Sequence, residues 1–359
     1  MRPSCQSPGS SCLLIIETII INTESGRNVP GLDGSMDMTV KAAAGRGAGG
    51  RPVAILLLAV ALALVATLAA AWSSRGASAA PDAGGKIVAV GAESQYADVI
   101  SQVGGQYVTV SALMSNPNTD PHSYEASIAV AREVGRAQLV VQNGLGYDSF
   151  MDSVESAAPS SDRTVINVQR LLRLPDSTPN PHLWYDPARM SQVADAIAAS
   201  LSAIQPSHEA YFAARAAAFK SGLASLTAAI ASFKAAYAGV PVATTEPVAD
   251  YLLTALGADN RTPWTFQADV MNGVDPSPQT LAAQRALFTG HQVKVFLYNQ
   301  QVTDALTQSF ITLAEQNHIP VVGVYETMPA PGYDYQTWMR TEVQALHKAV
   351  TAHISTEHL

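Results

Sequence analysis

Residues 206–239, PSHEAYFAARAAAFKSGLASLTAAIASFKAAYAG, decide the architecture of this chain. Ser207 is a good helix N-cap, Glu209 suits the first turn, and Gly239 before Pro241 closes the segment. Tyr211, Phe212, Phe219, Leu223, Leu226, Ile230 and Phe233 recur at three- and four-residue spacing, the pattern of an amphipathic helix. About thirty residues of helix span roughly 45 Å. That is long for a helix inside one domain, so the segment is predicted to connect two lobes.

On both sides of it the chain alternates strand and helix. Before it, Lys86–Val90, Tyr107–Met114, Ala137–Val141 and Thr164–Val168 read as short strands, with a helix over Gln95–Val103. After it, Pro241–Thr245, Val293–Asn299 and Pro320–Tyr325 read as strands. Ala249–Leu256, Ser277–Gly290, Asp304–Asn317 and Tyr335–Ala352 read as helices. Short apolar strands separated by helices indicate parallel sheets covered on both faces. The fold class is therefore α/β: two lobes, each a parallel β-sheet flanked by helices, joined by one long connecting helix. The expected boundaries are a leader over residues 1–80, an N-terminal lobe over 81–205, the connecting helix over 206–239 and a C-terminal lobe over 240–359.

The leader carries an apolar run, Val53 to Trp72, behind Arg46 and Arg51. It is long enough to span a bilayer, and its basic flank places the preceding end in the cytoplasm. Ala77-Ser78-Ala79 offers a signal peptidase site. Export with cleavage near Ala79 is the preferred reading; an uncleaved anchor that associates the protein with the membrane is the alternative. Either way the remainder is extracytoplasmic. Met36 or Met38 would begin a more ordinary signal sequence than Met1. Both cysteines, Cys5 and Cys12, fall before that point, so the exported part has neither disulfides nor thiolate ligands. A formal charge of −8 argues against a nucleic-acid partner.

A metal site here must be built from His, Asp and Glu. Two segments, Asp120-Pro121-His122-Ser123-Tyr124-Glu125 and Asn180-Pro181-His182-Leu183-Trp184, each set a histidine directly after a proline. Proline fixes its own φ and restricts its predecessor, so both imidazoles are stiffly presented. His122 and His182 follow strands of the first lobe. Glu246 and Glu326 follow strands of the second. Ligands of open parallel sheets bind at the strands' carboxyl ends, so these four can converge on one cleft. The other histidines, His208, His291, His318, His347, His353 and His358, read as surface residues. Asp120 and Asp186 are candidates to accept the second ring N–H of a metal-bound histidine.

These residues also carry a resemblance. From about Lys86 onward the sequence resembles the metal-binding solute-binding proteins of ABC importers, the zinc and manganese receptor family. The motifs are DPHSYE at 120–125, QNGLGYDSF at 142–150, NPHLW at 180–184, TTEPVADYLLTALG at 244–257 and GVYETMP at 323–329. The resemblance implies a two-lobed receptor with a long connecting helix, one metal ion between the lobes and an ABC permease as partner. By position, His122 and His182 match the first two ligands of the family. Glu246 falls where the family has His or Glu, and Glu326 where it more often has Asp. The His-rich acidic loop of many zinc members is missing.

Two imidazoles and two carboxylates offset the charge of one divalent ion and make its burial tolerable. Nitrogen and oxygen donors suit Zn²⁺, Mn²⁺ or Fe²⁺ better than Ca²⁺ or Mg²⁺. Zinc is placed slightly ahead of manganese as the transported ion. The expectation is a monomeric, non-enzymatic receptor with no catalytic residues. One alternative is a siderophore or haem-chelate receptor of similar fold, for which Trp184, Tyr185 and Trp264 would serve. Another is a secreted zinc hydrolase, but no HExxH is present and four ligands would close the site.

Overall fold

Valine- and isoleucine-rich runs bounded by turn residues fold as two parallel sheets. The computed structural model describes residues 85–118, 124–329 and 332–359, all within one compact unit running from Ala77 to Leu359. The expected leader over residues 1–80 lies outside the described residues, and so does His122. The first sheet contains β1 (Ile87–Glu93), β2 (Val108–Met114), β3 (Leu139–Gln142) and β4 (Thr164–Asn167) in the order β2-β1-β3-β4. The second contains β5 (Pro241–Thr244), β6 (Asp259–Asn260), β7 (Val295–Asn299) and β8 (Val321–Val324) in the order β6-β5-β7-β8. Every pairing in both sheets is parallel. The two share one topology: the first strand lies between the second and third, and the fourth lies outside the third.

Helices cover the sheets: α1 (Ser94–Gly104), α2 (Ile128–Arg136), α3 (Phe150–Ala157), α4 (Val168–Leu171) and α5 (Pro187–Ile204) belong to the first half. Helix α5 is not among the elements expected from the sequence. Asp186 caps it by accepting from the Ala188 N–H, and Pro187 occupies its first turn.

The connecting segment departs from one unbroken helix. A 3₁₀ turn at Pro206–His208 precedes α6 (Glu209–Gly222), and α7 (Ala224–Tyr237) follows after a break at Leu223. Helix α6 therefore begins later than the Ser207 cap suggests, and no side chain caps it. At the break the Leu223 N–H points to both Phe219 O (3.3 Å) and Lys220 O (3.2 Å), a local tightening that leaves the rod nearly continuous. The expected apolar stripe is the packed one: Phe212, Phe219, Leu223, Leu226 and Phe233 are buried.

The second half adds α8 (Asp250–Leu256), α9 (Trp264–Met271), α10 (Pro278–Thr289), α11 (Ala305–Gln316) and α12 (Tyr335–Ala352). After α12 the chain returns along β8. Gly323 N donates to Thr356 O and Thr356 N to Val321 O, extending the sheet by one short parallel bridge. A Cβ on Gly323 would lie 2.1 Å from Glu357 O, so only glycine admits this tail.

One hydrophobic cluster runs through both halves. It joins Ile87, Val99, Leu139 and Trp184 of the first to Val242, Leu252, Val322, Tyr325 and Trp338 of the second. Polar groups cross the same boundary. Tyr185 Oη donates to Tyr325 O (2.8 Å), and the Tyr325 N–H returns to Tyr185 Oη (3.2 Å). Tyr335 Oη donates to Trp184 O at 2.6 Å. Glu342 sits beneath, accepting from Trp338 Nε1 (3.0 Å), with its Oε1 3.3 Å from Tyr185 Oη.

Burial pushes the Glu342 carboxyl up to about 8, against the pull of Trp338 and Tyr185. The folded state therefore keeps a proton that the unfolded chain releases near the ordinary value of 4.5. The stability this proton contributes is full below the unfolded pKa and is lost as pH rises towards 8. Thermal unfolding of wild type and Glu342→Gln from pH 4.5 to 9 should show wild type losing on the order of 1 kcal/mol or more relative to the variant. Parallel profiles would mean that Glu342 is ionised throughout.

Candidate metal centre

Three neighbouring strands of the second sheet present polar residues at their carboxyl ends. Glu246 follows β5, Asn299 is the last residue of β7, and Glu326 follows β8. Adjacent strands lie about 4.8 Å apart, so the central Asn299 reaches both neighbours. Its Nδ2 donates to Glu246 Oε1 (3.1 Å) and to Glu326 Oε1 (2.5 Å). Its Oδ1 accepts from the Gln301 N–H, which fixes the orientation of the amide. Gln301 Oε1 in turn takes the backbone N–H groups of Glu326 (2.6 Å) and Thr327 (2.9 Å), fastening the turn that carries the carboxylate.

The first half approaches with His182, which is completely buried. Asn180 Oδ1 accepts both the His182 backbone N–H (3.0 Å) and the ring at Nδ1 (2.8 Å). Asn180 Nδ2 donates to Pro247 O (2.7 Å), and this settles which end of the amide is the acceptor. Nδ1 therefore carries the ring hydrogen, and the Nε2 lone pair points onward. It faces Glu326 Oε2 at 3.3 Å. Two acceptors set against each other require a proton or a cation between them, the electrostatic condition of a metal-ligand pair.

Tyr147 completes the boundary by donating from Oη to the same Glu326 Oε2 (2.9 Å). It rides on a tight turn in which Gly144, Leu145 and Gly146 all have positive φ. Asp148 holds this turn by accepting from Asn143 N (2.5 Å) and Gly144 N (2.9 Å). Glu93, at the end of β1, lies buried beside it. Burial, then the neighbouring Asp148, holds the Glu93 carboxyl well above the usual carboxylate range. Trp184 walls the site, its ring 5.4 Å from that of His182 and 5.0 Å from that of Tyr147.

The structure thus brings together His182 and Glu326 directly, and Glu246 through Asn299. Among the described residues no group of three or more His, Cys, Asp or Glu converges on one metal-sized point. His122 lies outside them. Asp186 does not support His182: it caps α5 and pairs with Arg189. That support comes from Asn180, within the quoted NPHLW motif, where the asparagine two residues before the histidine was the available signal. Tyr147 stood in QNGLGYDSF; Asn299 had no signal beyond its place at a strand end. Of the remaining histidines, five are exposed and His208 stacks on Tyr107 at 3.7 Å.

Two carboxylates on one amide are compensated better by a divalent cation than by a shared N–H pair. Asn299→Ala should lower the stability of the metal-free protein by about 1–3 kcal/mol, the cost of removing a donor from buried acceptors. Calorimetry with a saturating divalent cation should recover most of that loss. An equal deficit in both states would reduce Asn299 to a packing role.

Comparisons with known proteins bear on this arrangement. The family model described as "Zinc-uptake complex component A periplasmic" matches residues 90–349. The manganese-binding lipoprotein MntA of Bacillus subtilis is 29% identical over 136 residues, which cover 36% of this chain and 44% of that protein. The zinc-binding protein TroA of Treponema pallidum is 30% identical over 146 residues, 39% of this chain and 47% of that protein. The matched stretch thus spans about half the length of these relatives. The Mn-bound periplasmic metal binding protein of Candidatus Liberibacter asiaticus superposes with a TM-score of 0.60 at 19% identity, over 74% of this chain and all of that one. This likeness establishes the fold.

Proposed function

Since the chain belongs to the family of periplasmic zinc-uptake components A, we propose that it captures a divalent transition metal ion outside the cytoplasmic membrane and delivers it to an ABC permease. The observation that carries this reading is the buried His182–Glu326 contact, made between a loop of the first half and the residue that follows β8 in the second. His182 Nε2, Glu326 and Glu246 are the described ligands in this proposal, and His122 is the fourth. Asn180 sets the tautomer of His182, and Asn299 keeps the carboxylates side by side while no ion is bound. Residues 81–205 and 240–359 act as two lobes about the 206–239 connector.

Zinc is placed ahead of manganese. Two imidazole nitrogens and two carboxylates bind both ions, and intrinsic affinity rises from manganese to zinc. The relatives include a manganese-binding and a zinc-binding protein. A chelate receptor is less well supported: of Trp184, Tyr185 and Trp264 only Trp264 is exposed, while the other two are fully buried and offer no open wall to a siderophore or haem. A hydrolase would need an open coordination position for water, which four protein ligands leave no room for.

Delivery requires the permease to tell loaded from empty receptor. The shared core and the tyrosine contacts across the boundary favour a small tilt of the lobes over a wide hinge. Solution scattering of the metal-free and loaded protein should give nearly superimposable curves; a clear drop in radius of gyration on loading would overturn the small-tilt mechanism.

Titration of chelator-stripped residues 81–359 with Zn²⁺ and Mn²⁺ tests the site. One equivalent should bind, with Zn²⁺ the tighter. Asn180→Ala, which removes the partner of Nδ1 together with the bonds to the His182 N–H and Pro247 O, should weaken binding about 10- to 100-fold. His182→Ala and Glu326→Ala should weaken it further. Unaltered affinity in a folded His182→Ala protein would sink the proposal.

A further inference from the structure

Away from the metal centre, a cavity of about 280 Å³ opens where three bodies meet. Gln102 of α1 contributes from the first half, Arg215 and Gly222 from the connector, and Gln336 and Arg340 from α12 of the second half. Gln102 and Gln336 form a reciprocal amide pair, with Nε2-to-Oε1 distances of 2.8 and 3.0 Å. Gln336 Nε2 also reaches Phe219 O at 3.3 Å, one turn before the break at Leu223. The cavity therefore sits on the joint at which the halves would tilt.

Its charge is unusual for so small a space. Arg215 uses Nε on Gln102 O (2.7 Å), and its other N–H groups are not engaged there. Arg340 Nε is buried without a hydrogen-bond partner. Among the described residues neither arginine forms an ion pair. The cavity is also lined by one carboxylate, Asp334, which is committed to capping α12, accepting from Thr337 N (2.7 Å) and Thr337 Oγ1 (2.5 Å). Asp98 accepts from Gln102 Nε2 (2.6 Å) and Tyr335 N (3.0 Å).

We propose that this cavity is a second binding site, which takes a small phosphate-type oxyanion between Arg215 and Arg340. Guanidinium groups from two different elements line the one cavity, and the planar donor fork of arginine suits a tetrahedral oxyanion. The volume leaves room beside it for a modest organic substituent. Because one arginine belongs to the connector and the other to the second half, an anion held by both ties them together beside the Gln102–Gln336 pair.

The test is thermal unfolding of metal-free protein in increasing sodium phosphate or glycerol phosphate, against sodium chloride at matched ionic strength. A saturable rise of about 2–4 °C at tenfold excess over half-saturation is expected, abolished in Arg340→Gln and in Arg215→Gln. Zinc titration of the variants should match wild type, which shows that they are folded and that the two sites are separate. A phosphate response no larger than that to chloride, or one equal in wild type and variants, overturns the proposal. Co-sedimentation with phosphatidylglycerol vesicles separates free anion from lipid headgroup. Arginine-dependent vesicle binding without a response to either soluble phosphate would overturn the free-anion site.

Discussion

Burying Glu326 is the constraint around which the molecule is arranged. It lies fully inside the protein, with Glu246 close by and almost as deeply buried. Such a carboxylate is tolerable only if donors converge on it. Asn299 supplies one from the adjacent strand, Tyr147 supplies one from across the boundary, and His182 Nε2 faces what remains. Tyr147 and His182 come from the first half and Asn299 from the second, so the groups gathered around this side chain tie the two halves together.

The loops that supply these groups are stiffened by their own side chains rather than by regular structure. Asn180 closes a turn on His182 and reaches Pro247 in the other half, while Tyr251 Oη returns to Asn180 O at 2.8 Å. Asp148 does the same for the Gly144–Gly146 turn. Asn143, next to it, accepts from Tyr96 Oη and donates to Pro181 O, so the tyrosine turn and the histidine loop brace each other. Under the proposed function, the orientation of these side chains is settled before any ion arrives, which lowers the entropy lost on binding.

The same contacts bear on movement. A hinge that opened widely would have to break the tyrosine pair at Tyr185 and Tyr325, expose Trp184 and Trp338, and separate Gln102 from Gln336. A core that is continuous through both halves makes such opening costly, because it returns large apolar surfaces to water.

Much of this was legible in the chain. The strand-helix alternation, the long apolar stripe of the connector and the prolines before both histidines are local signals, and local signals follow from backbone stereochemistry and side-chain periodicity. The structure kept the strands within a few residues of their expected bounds, set Glu246 and Glu326 directly after β5 and β8, and brought His182 against Glu326 from a loop beyond α4. Three features were not legible. The two-residue strand Asp259–Asn260 carries no apolar pattern, the Leu223 break follows Gly222, a single glycine of the kind a helical pattern ordinarily tolerates, and the tail at Thr356 pairs with β8 across a whole helix. The partners Asn180, Asn299 and Tyr147 likewise acquired their roles only by proximity. Sequence alone determined which residue types the chain offers and on which elements they ride. Tertiary structure decided which atom meets which, because a hydrogen bond of 2.8 Å depends on the packing of distant segments that no local pattern encodes.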